Sequence, residues 1–360
     1  MKITMVTNNF YPCIGGVERV IEDISKKLIE RGHEVKVICL DTCANSKKKL
    51  KINEKLGKIK IERIPYFDFK YYKIALGALG KVREADIIHV HGIGFFSDFL
   101  IATKFIHKKP VVVSTHGGIF HTKKIALVKN FYFNIIQRFM LRFADSVIAV
   151  SKNDLELFNK ISKKNILIEN GVNVEAFSSG KKEKNTFLFL GRFSKNKRVE
   201  LLFDSFALLK NKINFTLFIA GTDWENLLDS YKRKCEALGI VKNVKFILNP
   251  NDEKTKELYA KSEYFVSASR YEGFGIALVE AMASGCIGIV QKNTGFANIL
   301  GSKNKGYFVD FEKNEKAAND IKEIISTEKK DVIKEARKKA GSFSWDSRID
   351  KLEKIYRELI

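Results

Sequence analysis

The stretch Ser267–Gly285, SASRYEGFGIALVEAMASG, limits the fold more than any other part of the sequence. It leaves an apolar strand at Tyr264, Phe265 and Val266, breaks at Glu272-Gly273-Phe274-Gly275, and resumes as a helix whose Ile276, Leu278, Val279 and Met282 suit one packed face. A strand, a glycine turn and a helix together make an anion-binding geometry. The first turn of a helix leaves backbone N–H groups unpaired, and the summed peptide dipoles add positive charge there. Gly273 and Gly275 let a ligand come close to the backbone. Glu272 and Glu280 bracket the turn, and a helical rise of ~1.5 Å per residue over that spacing separates them by roughly 12 Å. Paired glycosidase carboxylates stand about 5 to 9.5 Å apart, so that chemistry is excluded. The spacing suits the two ends of a nucleotide-sugar, with Glu272 on sugar hydroxyls and Glu280 on the ribose diol. An ordinary turn followed by one solvated glutamate is the other reading.

The strand, glycine and helix pattern recurs. Lys2–Thr7 is a short apolar strand, and Gly15-Gly16 then opens an amphipathic helix with Val17, Val20, Ile21, Ile24 and Leu28 on one face. Glu34–Leu40 is the next strand, which completes a βαβ unit without the dinucleotide fingerprint. Ala85–His91 and Pro110–Thr115 read as buried strands, the second ending in His116-Gly117-Gly118. Ligands of α/β sheets collect at the carboxyl ends of strands, which makes His116 a candidate site residue. His89 and His91 share a strand face, where a metal pair is conceivable, but with no third ligand at a suitable spacing they read as structural. Thr186–Leu190 is a strand followed by Gly191-Arg192 and Lys197 at a helix entrance. A guanidinium fork and an ammonium there form a diphosphate clamp.

Taken together these blocks resemble the retaining nucleotide-sugar glycosyltransferases of family 4, with Glu272 to Glu280 matching their E-x7-E signature. The resemblance runs over nearly the whole chain. It implies an α/β GT-B fold, two Rossmann-like parallel-sheet domains facing each other across a cleft. It further implies a retaining hexosyltransferase that uses a UDP- or GDP-sugar and a lipid-linked, glycan or small hydroxyl acceptor. Carried over to this sequence, the catalytic set is His116, Glu272, Arg192 and Lys197. The donor-binding set is Gly15, Gly16, Arg192, Lys197, Gly273, Phe274, Gly275, Ile276 and Glu280. The family's glycine after the lysine is replaced by Arg198, and Asn173 stands for an aspartate. Asp-x-Asp occurs nowhere in the sequence, so no metal and no resident cofactor are expected. A sugar-nucleotide epimerase of the same architecture and a non-catalytic polyanion-binding protein are the alternatives.

With 360 residues, two domains are expected. The polar stretch around 178–182 sets the expected division: residues 1–175, residues 176–340, and a terminal helix at 341–360 that by resemblance crosses back to the first domain. The five cysteines are scattered without a C-x-x-C pair and read as buried reduced thiols. No apolar run is long enough to span a bilayer, which leads to the expectation of a cytoplasmic protein.

The net charge of +22 favours a polyanionic partner or an anionic membrane, unless it is compositional bias alone; nucleic acid is not expected. Lysines from Lys47 to Lys60 read as a solvated loop and helix tail. Between Phe99 and Ala144 there is no acidic residue, while Lys104, Lys108, Lys109, Lys123, Lys124, Lys129, Arg138 and Arg142 interleave with aromatics. Two readings fit this segment: a helix lying on an anionic membrane near a lipid-linked acceptor, or a core helix with a solvated basic side.

Overall fold

The fold comes from a computed structural model that describes every residue except 14, 44–45, 47, 70–71, 118–125, 178–179 and 302–304. Gly118, Lys47, Lys123, Lys124 and the Ser178-Ser179 pair of the sequence reading therefore lie outside the described residues. The chain divides into two compact units, Met1–Gly171 with Trp345–Ile360, and Val172–Ser344.

Among the described residues the first unit has ten strands: β1 (Lys2–Val6), β2 (Glu34–Leu40), β3 (Asn53–Leu56), β4 (Ile59–Ile64), β5 (Phe67–Phe69), β6 (Tyr72–Ile74), β7 (Ile87–His91), β8 (Val111–Ser114), β9 (Ser146–Ala149) and β10 (Asn165–Leu167). Eight of them form one sheet in the order β10-β9-β8-β7-β1-β2-β4-β3, parallel except for β3. Such strands are covered on both faces by helices, which is why their sequences are near-continuous apolar runs. The strand order reverses between β1 and β7, and in open α/β sheets the crevice for a ligand opens at the carboxyl ends beside that reversal.

Two expectations are corrected in this unit. The lysine-rich connection is not only loop, because β3 pairs antiparallel with β4 as a sheet edge, with Lys55 turned to solvent. An edge lysine discourages pairing with another chain. Nor are all five thiols reduced: Cys13 and Cys43 form a disulfide, while Cys39, Cys235 and Cys286 are free and buried. The bonded pair sits on the loops that follow the adjacent parallel strands β1 and β2, which bring their Cα atoms to 5.4 Å.

The basic aromatic segment forms the helix Ala126–Phe131, a π-helical stretch Tyr132–Gln137 and the short helix Arg138–Met140. Its inner side is fastened by the buried Asp98, which accepts hydrogen bonds from Tyr132 Oη at 2.6 Å, Tyr72 Oη at 2.9 Å and Gln137 Nε2 at 2.5 Å. Phe133 and Leu141 are buried with it, but Phe131, Ile135, Phe139 and Phe143 are exposed. A core helix with only its basic side in water does not describe this arrangement.

The second unit is a six-stranded parallel sheet of β11 (Glu183–Leu190), β12 (Thr216–Gly221), β13 (Val244–Leu248), β14 (Ser262–Ser267), β15 (Ile287–Val290) and β16 (Tyr307–Phe308), in the order β13-β12-β11-β14-β15-β16. Phe187, Phe206, Phe215 and Tyr264 pack together in its core, and the order reverses between β11 and β14.

The helix Asp346–Leu359 belongs to the first unit. Tyr356 Oη lies 2.6 Å from His89 Nδ1, and Glu353 receives His33 Nε2 at 2.6 Å and Arg31 at 2.7 Å. Burial alone would raise the Glu353 carboxyl, but the bonds from His33 and Arg31 outweigh it and hold the pKa below the ordinary glutamate value. A depressed carboxylate contributes stability that is complete above the unfolded pKa and fades as pH falls through the folded one. In acid titrations followed by thermal melts below about pH 4.5, Glu353→Gln should therefore lose stability less steeply than the parent chain.

Candidate active site

In the second unit the reversal between β11 and β14 sets two loops side by side. The loop after β11 carries Arg192 and Lys197, and the loop after β14 carries Glu272 to Gly275. They are joined directly: Lys197 Nζ lies 2.6 Å from Glu272 Oε1, with both side chains mostly covered. Asn196 Nδ2 donates to the Tyr271 carbonyl at 2.9 Å, and the Arg270 N–H donates to the Asn196 carbonyl at 3.0 Å. Arg192 is exposed, and its guanidinium stacks over the Trp224 ring at 5.0 Å.

Gly275 caps the helix Ile276–Ala283 with φ of 106°, a left-handed conformation. A Cβ there would meet Ile299 Cδ1 at 2.9 Å and Phe296 at 3.1 Å. Phe274 is buried beneath this turn, with Gly273 and Ile276 partly covered. Glu280 is only 4% exposed, and Tyr259 Oη donates to its Oε2 at 2.9 Å. The structure thus brings Lys197, Glu272 and Gly275 together at one strand reversal. Glu280 lies deeper along the same helix, and Arg192 lies at the exposed rim of its loop.

Arg198, where the family pattern has glycine, adopts φ of 49°. This is the left-handed region that a glycine would occupy without cost. The side chain holds the strained position by donating Nε to the Ala268 carbonyl at 2.9 Å and pairing with Glu312. An arginine thus occupies a backbone conformation that favours glycine.

In the first unit, Gly15 is the N-cap of the helix Gly16–Glu30, and Gly16 is its exposed first residue. A Cβ on Gly15 would overlap the Glu18 carboxylate at 2.2 Å, so this helix start already carries an acidic side chain. His116 follows β8 with φ of 49°, and its turn is held by the buried Asp154, which accepts from Thr115 Oγ1 at 2.6 Å and from the Gly117 N–H at 2.9 Å.

Three imidazoles pack in a row there, His89 on His91 at 4.1 Å and His91 on His116 at 5.2 Å between ring centroids. His91 Nε2 faces Met5 Sδ at 3.4 Å, and a thioether can only accept. The His91 Nε2 therefore carries the proton, and its Nδ1, 2.9 Å from His116 Nε2, accepts from it. That leaves Nδ1 of His116 as an acceptor. Burial depresses His116 to about 4 and His89 to about 3, and it pushes His91 well below 6.5. Among the described residues no group of His, Cys, Asp and Glu is arranged to hold a metal ion.

Sequence reasoning missed Asp154, Trp224 and Tyr259, and it reads Asn293-Thr294-Gly295-Phe296-Ala297 as a loop where the structure has the turn into the helix Thr294–Leu300, capped by Asn293. A Cβ on Gly295 would come within 2.6 Å of the Glu272 carbonyl, so this turn supports the Glu272 loop from behind. Asp154 had a legible signal: Ser151-x-x-Asp154 is a helix-start pattern, and Ser151 Oγ does accept from the Asp154 N–H at 3.2 Å.

Two Rossmann-like sheets, parallel but for β3, one of them carrying a cation–carboxylate pair and a glycine-capped helix at its strand reversal, define a protein of two doubly wound α/β units. Sequence comparison makes the class specific. The profile for Glycosyltransferase Family 4 matches residues 14–176, and that for Glycosyl transferases group 1 matches residues 173–340. The chain is 34% identical over 331 residues to the GDP-mannose:cellobiosyl-diphosphopolyprenol alpha-mannosyltransferase of Xanthomonas oryzae pv. oryzae (strain PXO99A), covering 90% of this chain and 87% of that one. The enzyme of the same name from Komagataeibacter xylinus is 28% identical, with 100% and 94% covered.

Among solved structures, sucrose-phosphate synthase from Thermosynechococcus elongatus superposes with a TM-score of 0.81 at 18% identity, covering 99% of this chain and 98% of that one. Anabaena Alr3699/HepE in complex with UDP and glucose superposes at 0.79 with 18% identity and complete coverage of both chains. The fold is GT-B, and the chain belongs to glycosyltransferase family 4.

Two measurements test this geometry. Gly275→Ala should lower the stability of the second unit by about 1–3 kcal/mol in urea unfolding, because it places a Cβ on a left-handed residue against Ile299 and Phe296. The second test uses pH. Below 6.5 the unfolded histidines take protons that the folded unit refuses, so their contribution is complete above that pH and is lost as pH falls toward the folded values of about 4 and about 3. Each such histidine adds up to about 1.4 kcal/mol per pH unit to the slope. Buried Asp154 and Asp98, whose carboxyls are raised by burial, act in the opposite sense. The readout is therefore a comparison: between pH 6.5 and 4, His89→Gln should show a shallower loss of stability than the parent.

Proposed function

We propose that the chain moves a mannosyl group from GDP-mannose to a polyprenyl-diphosphate-linked glycan, with retention at the anomeric carbon and without a metal ion. The carrying observation is the Lys197–Glu272 pair beside the Gly275 helix start, at the strand reversal of the second unit. The donor and acceptor follow from the relatives that share a third of the sequence, whose names specify GDP-mannose and a diphosphopolyprenol.

In this reading Lys197 is a switchable partner. It holds Glu272 by an ion pair, and an incoming diphosphate takes the ammonium and frees the carboxylate for sugar hydroxyls. Arg192 swings from the Trp224 face onto the same phosphates. The N–H groups at the start of helix Ile276–Ala283 receive the remaining phosphate charge. Glu280, oriented by Tyr259, takes the ribose diol. In the first unit, His116 offers its Nδ1 to a sugar hydroxyl, and Gly15 and Gly16 serve the leaving diphosphate and the acceptor.

The bond between the anomeric carbon and the β-phosphate oxygen breaks as the acceptor oxygen forms its bond on the same face. The acceptor proton passes to the departing phosphate oxygen. Fixed cations and amides stabilise the developing charge, the role a divalent ion would otherwise fill.

Thermal shift against GDP, UDP, ADP and GDP-mannose tests the donor, and should favour the guanosine ligands. NMR of the product should show an α-mannosyl linkage, and EDTA should leave the rate unchanged. Arg192→Ala should raise the donor KM by roughly 10- to 100-fold, the effect of losing one charge-assisted contact. Glu272→Ala should abolish transfer, and Glu280→Ala should raise the donor KM. Full transfer activity in the Arg192 variant, or no shift with any nucleotide, would overturn the assignment.

A further inference from the structure

Among the described residues, the exposed large apolar side chains are not scattered. Seven of 21 lie between Leu127 and Phe143. Leu127, Phe131, Ile135, Phe139 and Phe143 recur at every fourth position and are 85%, 61%, 54%, 58% and 52% exposed. A step of four residues overshoots one α-turn and undershoots one turn of π-helix, whose bonds run from i to i+5. The π-helical stretch Tyr132–Gln137 in mid-segment therefore rotates the row back where an unbroken α-helix would carry it round the axis. The outcome is an outward apolar row, and the opposite side is fixed to the buried Asp98 through Tyr132 and Gln137.

Two neighbours extend the surface. Phe105 and Ile106, 76% and 48% exposed, follow Lys104, whose ammonium is 2.6 Å from Asp145 at the end of the same segment. The β5–β6 hairpin carries exposed Phe67 and Phe69 and is tied through Tyr72 to Asp98 as well. Cations outnumber anions on this surface: exposed Arg138, Arg142 and Lys108 accompany the row, no acidic residue occurs between Phe99 and Ala144, Asp145 is paired with Lys104, and Asp68 is exposed on the hairpin.

We infer that this face of the first unit docks on an anionic lipid bilayer, inserting Phe131, Ile135, Phe139 and Phe143 at the headgroup level while Arg138 and Arg142 meet lipid phosphates. A row of aromatic and aliphatic side chains flanked by cations is the pattern of a helix lying in the membrane interface. A partner protein chosen for the same charge would have to supply acidic groups along an aromatic surface, whereas an anionic leaflet supplies negative charge and an apolar layer together. The surface owes nothing to the identity of the substrate; that docking presents a polyprenyl-linked acceptor rests on the function proposed above.

The test is sedimentation of the full chain with vesicles of phosphatidylglycerol and phosphatidylcholine in equal parts, or of phosphatidylcholine alone, in about 0.1 M salt. The parent should pellet with the anionic vesicles only. Phe131→Ser with Phe139→Ser should weaken partition at least tenfold, by loss of inserted apolar surface. Arg138→Gln with Arg142→Gln should weaken it roughly 25-fold, at about fivefold for each cation. A Phe139→Trp variant should be quenched by brominated lipid.

Failure to pellet with anionic vesicles, unchanged partition in the double variants, or a dimer that dissociates on the same Phe substitutions would overturn the inference. Circular dichroism melts establish that the variants fold, and thermal shift with GDP is measured on each. Vesicle binding without a nucleotide shift would leave the membrane surface standing and remove the transferase reading. A nucleotide shift without vesicle binding would do the reverse.

Discussion

The pairing of β11 with β14 is the constraint on which the candidate site depends. Each strand has a neighbour on its other side, β12 and β15, and the chain crosses over in opposite senses from the two, so the connections leave their carboxyl ends in opposite directions. Loops leaving these strands are forced together. That is why two segments 75 residues apart in sequence can place an ammonium 2.6 Å from a carboxylate. Close packing below fixes the loops in turn. A Cβ on Gly221 at the end of β12 would lie 1.7 Å from the Gly191 carbonyl oxygen, immediately before Arg192. The backbone is therefore held tightly at the point where the loop carrying Arg192 and Lys197 begins.

The first unit repeats the plan with different chemistry. Its strand reversal lies between β1 and β7, with Gly15 after the one and His91 at the end of the other. Here the charged groups are buried and neutralised rather than paired with cations. His89, His91 and His116 are held uncharged by burial, and the direction of hydrogen bonding along them is set by a sulfur atom that cannot donate. The two units thus differ in electrostatics: one has cations at its strand reversal, the other a row of neutral imidazoles.

Much of this was legible in the sequence. Buried parallel strands are short apolar runs, so β2 could be read to the residue from Glu34–Leu40. The loops at the strand ends carried Arg192, Lys197 and Glu272 in a recognisable pattern. What escaped depends on partners distant in sequence. Cys13 and Cys43 lie in no motif and meet only because β1 and β2 are adjacent. Strand β3 hides in a lysine-rich stretch because an edge strand needs little apolar content. Asp98 and Tyr259 are single polar residues whose roles appear only when their partners fold against them. The outward row from Leu127 to Phe143 was obscured for another reason: helical periodicity shows that two sides of a segment are apolar, but not which one the core takes.

The chain order has a consequence for biosynthesis. Residues Val172–Ser344 are inserted between the two parts of the first unit, whose sheet begins at Lys2 and whose last helix begins at Asp346. A ribosome therefore makes the whole second unit before it delivers the helix that contacts His33, Arg31 and His89. Domains generally fold in order of emergence, but here the later one is complete first, and the earlier one waits with the ends of its sheet uncovered. The helix Asp346–Leu359 is therefore the last piece that synthesis adds to the first unit.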